Sequence, residues 1–232
     1  MRRAGWAAVC GAVLLAAAAG GVTAALADGP ADDPAVPASA TSASVPGADS
    51  ADAGFARDMA VHHQQAVEMS FVVRDRTDDE EVRRLAYDIA NTQANQRGMM
   101  LGWLDMWGLP KVSSGAPMAW MGTAEGGHGS ESGHSGHSGH GSGSGKGGPL
   151  MPGMATKADL ARLEKASGER AEVLFLQLMT AHHKGGVHMA EGCVDRCRPG
   201  VQRDLAQGMV TAQESELSLM ADLLKARGAK PE

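Results

Sequence analysis

Two stretches of the chain place a pair of adjacent histidines between two methionines. The first is DMAVHHQQAVEMS, residues 58–70, and the second is LMTAHHKGGVHMA, residues 178–190. Thioether sulfur is a soft ligand and imidazole suits copper, zinc and nickel, so the mixture points first to copper, with Cu(I) favoured. Cu(II) and other borderline metals could bind at the imidazoles. Because a ligating imidazole must be neutral, binding should weaken on acidification.

The surrounding residues predict helices that would position these ligands. At about 100° per residue, the two histidines and two methionines of each stretch fall within an arc of about 120° on one helix face. His188 falls on the opposite side of its helix and is not a candidate. The candidate metal ligands are Met59, His62, His63, Met69, Met179, His182, His183 and Met189.

A structural role is the alternative for these side chains. Methionine at helical spacing usually fills a hydrophobic core, and a histidine on an apolar face often does no more than hydrogen-bond. Gln93 and Gln213 interrupt apolar stripes at equivalent places, so they need polar partners. We expect them either to bond to the histidine pairs and fix the bundle geometry, or to orient ligating imidazoles.

The two histidine stretches belong to an internal repeat. A shift of 120 residues aligns 15 identical residues among 54, including both histidines and both methionines. Each copy predicts two helices joined by a polar turn, because apolar residues recur at helical spacing and no stretch alternates over a strand's length. Neither hairpin can bury its apolar stripe alone. The predicted fold is therefore all-α, a four-helix bundle built from two repeated αα-hairpins.

The hairpins are predicted over residues 53–109 and 153–232. Gly108 and Gly228 are the expected stop signals of their second helices. A short extra helix should open the second hairpin, since Thr156 and Asp159 resemble a capping box. The predicted helices span residues 53–74, 80–107, 156–166, 168–191 and 201–227.

Three segments lie outside the hairpins. Residues 1–27 have the basic start, apolar run and Ala-Leu-Ala site of a signal peptide, which predicts an exported protein in the cell envelope or outside the cell. An uncleaved membrane anchor is the alternative. Residues 28–52, rich in Ala, Pro, Ser and Asp, predict a disordered tether. Residues 110–152 predict a flexible Gly/Ser/His linker.

The linker carries four histidines that could collect metal with low affinity. They stand in a Gly/Ser tract bracketed by MAWM and LMPGM, which contribute further soft ligands. A spacer that acquired histidines by drift is the alternative. These residues are His128, His134, His137 and His140.

Composition narrows the choice of partner. The formal net charge is −6, and removal of residues 1–27 takes away two arginines and no acid. An acidic chain disfavours nucleic acid and anionic membrane surfaces. Membrane contact is expected only if the N-terminal segment is uncleaved.

The two cysteines of the second hairpin are four residues apart. Cys193 and Cys197 favour a short disulfide that closes a turn in an oxidising setting. A Cu(I) dithiolate is the alternative.

Enzymatic function is not predicted. A di-iron bundle would need inward carboxylates and Glu-x-x-His on its helices, but that motif occurs only in the linker. No nucleophilic triad, phosphate loop or dinucleotide fingerprint is present.

The repeated HH helices, the run MPGMATKADLARLEKASG leading into the second pair, and the glutamine-bearing helix after each together resemble the DUF305 family. The resemblance implies a ferritin-like four-helix fold and, from members of the CopM type, copper sequestration, resistance or handover, with the eight residues above as ligands. A copper-handling protein would then be a partner. Lys184 departs from the family pattern, where many members carry an acid. A non-catalytic interaction or scaffold domain with structural histidines is the alternative function.

Overall fold

The computed structural model describes residues 44–122 and 148–231, and every regular element in these ranges is helical. Four helices are long: α1 (Ala51–Arg74), α2 (Glu80–Met106), α4 (Glu169–Arg196) and α5 (Val201–Ala226). Helix α3 (Lys157–Lys165) and the 3₁₀ turn Ala119–Met121 are short. The all-α prediction is confirmed.

Local sequence sets where the helices begin and end. Ser50 and Asp79 accept hydrogen bonds from backbone N–H groups three residues further on and so cap α1 and α2. The expected capping box opens α3. Gly108 and Gly228 adopt φ of 64° and 65°, and the residue after each donates back into the last turn of α2 or α5. This is the Schellman stop, for which glycine is the favoured residue.

The two hairpins meet through α1 and α4. Helix α2 packs on α1 and helix α5 packs on α4. The core has two parts, and each draws on all four long helices: the Met69 cluster contains Met69 and Met179, and the Met59 cluster contains Met59 and Met189. Because the end of α1 shares a cluster with the start of α4, these two helices run antiparallel. The histidine pairs lie between the two clusters.

Structured chain extends beyond the predicted hairpins. The prediction of a disordered tether to residue 52 is wrong at its end, because α1 begins at Ala51 and the Arg57 side chain bonds to the Ala48 carbonyl at 2.7 Å. The prediction of a flexible linker over residues 110–152 is wrong at both ends. Met118 and Trp120 at the first described end, and Met151 at the second, pack against the bundle.

Trp120 fixes the first end of the linker. Its indole lies where a Cβ on Gly54 would be, so a glycine there makes room for the ring. Asp58 accepts hydrogen bonds from Trp120 Nε1 at 2.9 Å and from the Met118 backbone N–H at 2.7 Å. Phe55 meets the ring edge-on at 5.8 Å between centroids. Gly54 leaves space for the indole and Asp58 accepts its hydrogen bond, so residues 118–120 are held against α1.

Helix α4 is longer than predicted, since it ends at Arg196 rather than at residue 191. The predicted disulfide between Cys193 and Cys197 is present at its last turn. No helix in residues 44–122 or 148–231 has the length and apolarity that crossing a bilayer requires. The predicted signal peptide and the four linker histidines lie outside the described residues.

Candidate metal centre

Four imidazoles gather where α1 and α4 pass each other in the middle of the molecule. His62 and His182 come from opposite hairpins, and their ring centroids are 3.8 Å apart with the planes inclined by 36°. His63 and His183 follow directly in sequence, and at most 1% of any of the four residues is exposed. The repeat thus brings its two histidine pairs into one buried group, an arrangement that a single helix could not provide.

Backbone carbonyls hold the two stacked imidazoles. His182 Nε2 donates to the carbonyl of His62 at 3.0 Å, across the interface between the hairpins. His62 Nε2 donates to the carbonyl of Pro152, in the segment before α3, at 3.3 Å. A carbonyl oxygen only accepts hydrogen bonds, so both rings carry their proton on Nε2. The lone pair of each neutral ring is therefore on Nδ1.

Side chains of the second helices hold the other two imidazoles. His183 Nε2 lies 2.6 Å from a carboxylate oxygen of Glu216 on α5. His63 Nε2 lies 2.8 Å from the amide oxygen of Gln96 on α2. Glu216 and Gln96 occupy equivalent positions in the repeat but differ in charge, so the two hairpins present chemically different partners to their histidines.

All four Nδ1 atoms are buried without a hydrogen-bond partner among the described residues. A buried nitrogen lone pair without a partner is costly in an apolar interior. A metal-ligating histidine ordinarily donates its other ring N–H to a carbonyl or carboxylate, which fixes the tautomer and orients the ring. The oxygen partners on Nε2 and the bare Nδ1 atoms match that arrangement, so the histidines fit a metal of the kind that imidazole prefers.

Burial keeps three of the four imidazoles neutral. Burial first, and then the neighbouring imidazoles, lower the pKa of His62 to about 4 and that of His63 to about 3. The pKa of His182 lies well below its ordinary value of 6.5 for the same two reasons. These rings therefore present a lone pair, rather than a positive charge, over the whole physiological range.

The predicted methionine ligands lie on either side of the imidazoles. Met59 and Met69 are ten residues apart on α1, which corresponds to about 15 Å along the axis. Met59 instead shares a cluster with Met189, and Met69 shares one with Met179. The structure therefore does not gather both methionines of one helix at one place, and each lies in a core cluster that also contains one candidate methionine of the other hairpin.

Gln93 and Gln213 do not bond to the histidines as predicted. Both are buried, and their side-chain carbonyl oxygens have no partner among the described residues. The residues that do bond lie three positions further along the same helices. Sequence comparison missed them because Gln96 and Glu216 are not identical, although the 120-residue shift aligns them.

Two residues near the second pair point away from it. Lys184 and His188 are exposed, so the lysine that departs from the family pattern places no charge among the imidazoles. Its neighbour Gly185 is buried, and a Cβ there would lie 2.0 Å from the Pro152 carbonyl oxygen. Gly185 is thus required for the close approach that brings this carbonyl to His62.

Within residues 44–122 and 148–231, no three His, Cys, Asp or Glu side chains are grouped to hold one metal ion. The described chain therefore offers imidazoles in pairs, with thioethers nearby. Taken together, the fold and the site define an all-helical protein of two repeated hairpins that buries four imidazoles between methionine-containing cores.

The chain belongs to the DUF305 family, described as a domain of unknown function, whose sequence profile matches residues 52–224. A crystal structure of a DUF305 protein from Streptomyces coelicolor, described as secreted, is 62% identical and covers 80% of this chain and 99% of its own, with a TM-score of 0.68. A DUF305 fragment from Deinococcus radiodurans is 28% identical over 76% of this chain and 96% of its own, with a TM-score of 0.57.

The copper protein CopM shares the fold. Its Cu(I)-bound structure is 19% identical, covers 75% of this chain and 96% of its own, and has a TM-score of 0.51. CopM has also been solved in Cu(II)-bound and Ag-bound forms. A comparison with curated proteins gave no match.

Proposed function

We propose that this protein is an exported, non-catalytic metal-binding protein that sequesters copper or hands it on, with Cu(I) the favoured ion. The observation that carries the proposal is the set of four buried Nδ1 atoms that have no hydrogen-bond partner among the described residues, on rings whose Nε2 atoms each face a carbonyl, amide or carboxylate oxygen. The neutral rings among them, His62, His63 and His182, can bind a cation without first losing a proton.

The methionines supply the preference among metals. Each core cluster contains one candidate methionine from α1 and one from α4, the two helices that carry the imidazoles. Thioether and imidazole together suit Cu(I) better than hard cations such as Mg²⁺ or Ca²⁺. The copper-bound and silver-bound forms of CopM, which has the same fold, support this choice. The linker histidines would act as a low-affinity collector.

Export is the second part of the proposal. The N-terminal sequence has the pattern of a signal peptide, and the relative from Streptomyces coelicolor is described as secreted. Amino-terminal sequencing of the protein recovered from culture medium should begin at Asp28. Recovery only from membranes, with the segment intact, would favour the anchor instead.

A scaffold domain with structural histidines is the second candidate. Complete burial of the rings and the lack of a three-residue group of His, Cys, Asp or Glu among the described residues favour it. The two candidates predict opposite results when His62 and His182 are both replaced by Gln. Metal binding predicts lost copper affinity with helicity kept, whereas a structural role predicts lost helicity.

The test is a Cu(I) competition titration of the mature chain against a chromophoric chelator, with circular dichroism on the same samples. We expect His62→Gln with His182→Gln to abolish tight binding. The matched control is His188→Gln, which replaces an exposed histidine on α4, the helix of His182; this variant should bind copper as the wild type does. A second variant with serine at the four linker histidines should keep the tight site. Tight copper binding in the His62/His182 variant would refute the proposal.

A further inference from the structure

A second group of sulfur atoms, which includes the candidate ligand Met189, lies toward the end of α4 on the C-terminal side of its histidine pair. Met189, Cys193 and Cys197 follow one another at four-residue spacing, which places neighbours on one helix face about 5–6 Å apart. All three are buried, with at most 3% exposed. In the oxidised protein the two cysteines form a disulfide, so neither sulfur is a thiolate.

The surroundings of the disulfide are unusually rich in sulfur. It lies in the Met59 cluster, whose other methionines come from α2, α5 and the segment before α3. The thioether of Met121 occupies the space where a side chain at Gly192, next to Cys193, would be. The buried methionines of this cluster are Met59, Met100, Met151, Met189 and Met209.

The internal repeat shows that the disulfide is not needed to make the turn. The first hairpin has Val73 and Thr77 at the equivalent positions, and α1 and α2 connect there without any cross-link. Met69 of the first hairpin is the equivalent of Met189. The second hairpin therefore has the same methionine and a similar turn, with two cysteines added that the fold does not require.

We propose that reduction of this disulfide opens a soft-metal site for Cu(I) or Ag(I), formed by the thiolates of Cys193 and Cys197 with the Met189 thioether as third ligand. A dithiol reductant gives two electrons and two protons to the disulfide and becomes a disulfide itself. One Cu(I) then replaces both thiol protons, which leave to solvent. Thiolate and thioether are the ligand types that select Cu(I).

Access to the disulfide is through the end of the helix. Cys197 is the C-cap residue of α4, and residues 198–200 after it are exposed. Opening the last turn therefore uncovers the Cys197 sulfur without separating the two hairpins. In an oxidising environment the site stays closed, so the redox state of the surroundings decides whether the protein has this additional capacity.

The experiment titrates the mature chain with Cu(I) before and after reduction of the disulfide by a phosphine, which is removed without exposure to oxygen before the titration because phosphines also bind Cu(I). The matched control replaces Cys193→Val and Cys197→Thr, the residues of the first hairpin. We expect the wild type to gain one Cu(I) per chain on reduction, with release of about two protons, and the control to gain none. Met189→Leu should weaken the gained site by about tenfold or more.

No gain over the control, or a gain accompanied by loss of helicity, would overturn the proposal, because exposed thiols of an unfolded chain also bind copper. The gain is measured relative to the oxidised protein. Failure of the histidine site therefore lowers the copper bound in both states and leaves the difference between them unchanged.

Discussion

The unequal partners of His63 and His183 predict unequal metal affinities in the two hairpins. Glu216 presents a carboxylate to His183 at 2.6 Å, whereas Gln96 presents a neutral amide to His63. A carboxylate stabilises the positive charge that a cation brings to the far side of the ring. We therefore expect Glu216→Gln to weaken copper binding and Gln96→Glu to strengthen it.

The magnitude follows from the distance between the two charges. A cation on Nδ1 would lie about 7 Å from the carboxylate, taking about 2 Å for the metal–nitrogen bond and about 2 Å across the ring. At an effective dielectric constant of about 20, the attraction is about 2 kcal/mol. The Glu216 side chain is 24% exposed, and screening by water lowers this to about 1.4 kcal/mol, or about tenfold in affinity.

Competition titration of the two variants against a chelator measures this effect. The control is Glu214→Gln, which removes an equal charge from an exposed position on the same helix and should change affinity little. Both variants keep a hydrogen-bond acceptor for the imidazole, so helicity should not change. A change below about twofold in both variants, with the fold intact, would show that these residues do not tune a metal site.

Three further predictions concern stability. Because the folded-state pKa values of His62 and His63 lie near 4 and 3, stability is full above about pH 6.5 and falls below it. By about pH 5, each of these rings should lower the free energy of unfolding by about 2 kcal/mol, because the unfolded imidazole binds a proton that the buried one does not; urea unfolding measures this loss. Gly185→Ala should cost about 1–3 kcal/mol by pushing away the Pro152 carbonyl, whereas Gly208→Ala, which has open space, should not destabilise. Asp58→Ala should cost about 2 kcal/mol and shift Trp120 fluorescence to the red, because the indole loses its acceptor; unchanged emission would contradict that contact.

Much of the fold was predictable because its determinants are local. Helical periodicity, the cap residues and the glycine stops are read within a few residues of each helix end, and α2 and α5 end within one residue of their predicted limits. The internal repeat also showed that the two histidine pairs occupy equivalent positions in the two hairpins. The packing of the linker ends on the bundle could not be predicted, because these segments have no hydrophobic periodicity. The only indication in the sequence was glycine inside a helix: Gly54 leaves room for Trp120, and Gly185 leaves room for the Pro152 carbonyl.

The candidate site was less predictable because it forms between hairpins. Sequence placed His62 and His182 on corresponding faces, but only the antiparallel packing of α1 on α4 brings their rings together. Met59 and Met69 share a helix face, but ten residues of α1, about 15 Å along its axis, lie between them. Gln93 and Gln213 are identical in the two repeats, whereas the positions that bond to the histidines hold an amide in one hairpin and a carboxylate in the other.

The hydrogen bonds of the two stacked rings are not reciprocal. His182 donates to the backbone of His62, but His62 donates to Pro152, in the chain that joins the hairpins. An assembly of two identical hairpins would have to treat its two histidines alike. When the two hairpins belong to one chain, their histidines can have different partners. Here the segment that joins the hairpins supplies the Pro152 carbonyl, to which only His62 of the two stacked histidines donates. The connecting chain is thus part of the centre, and exchanging it between relatives would change the histidine environment while every helix stayed the same.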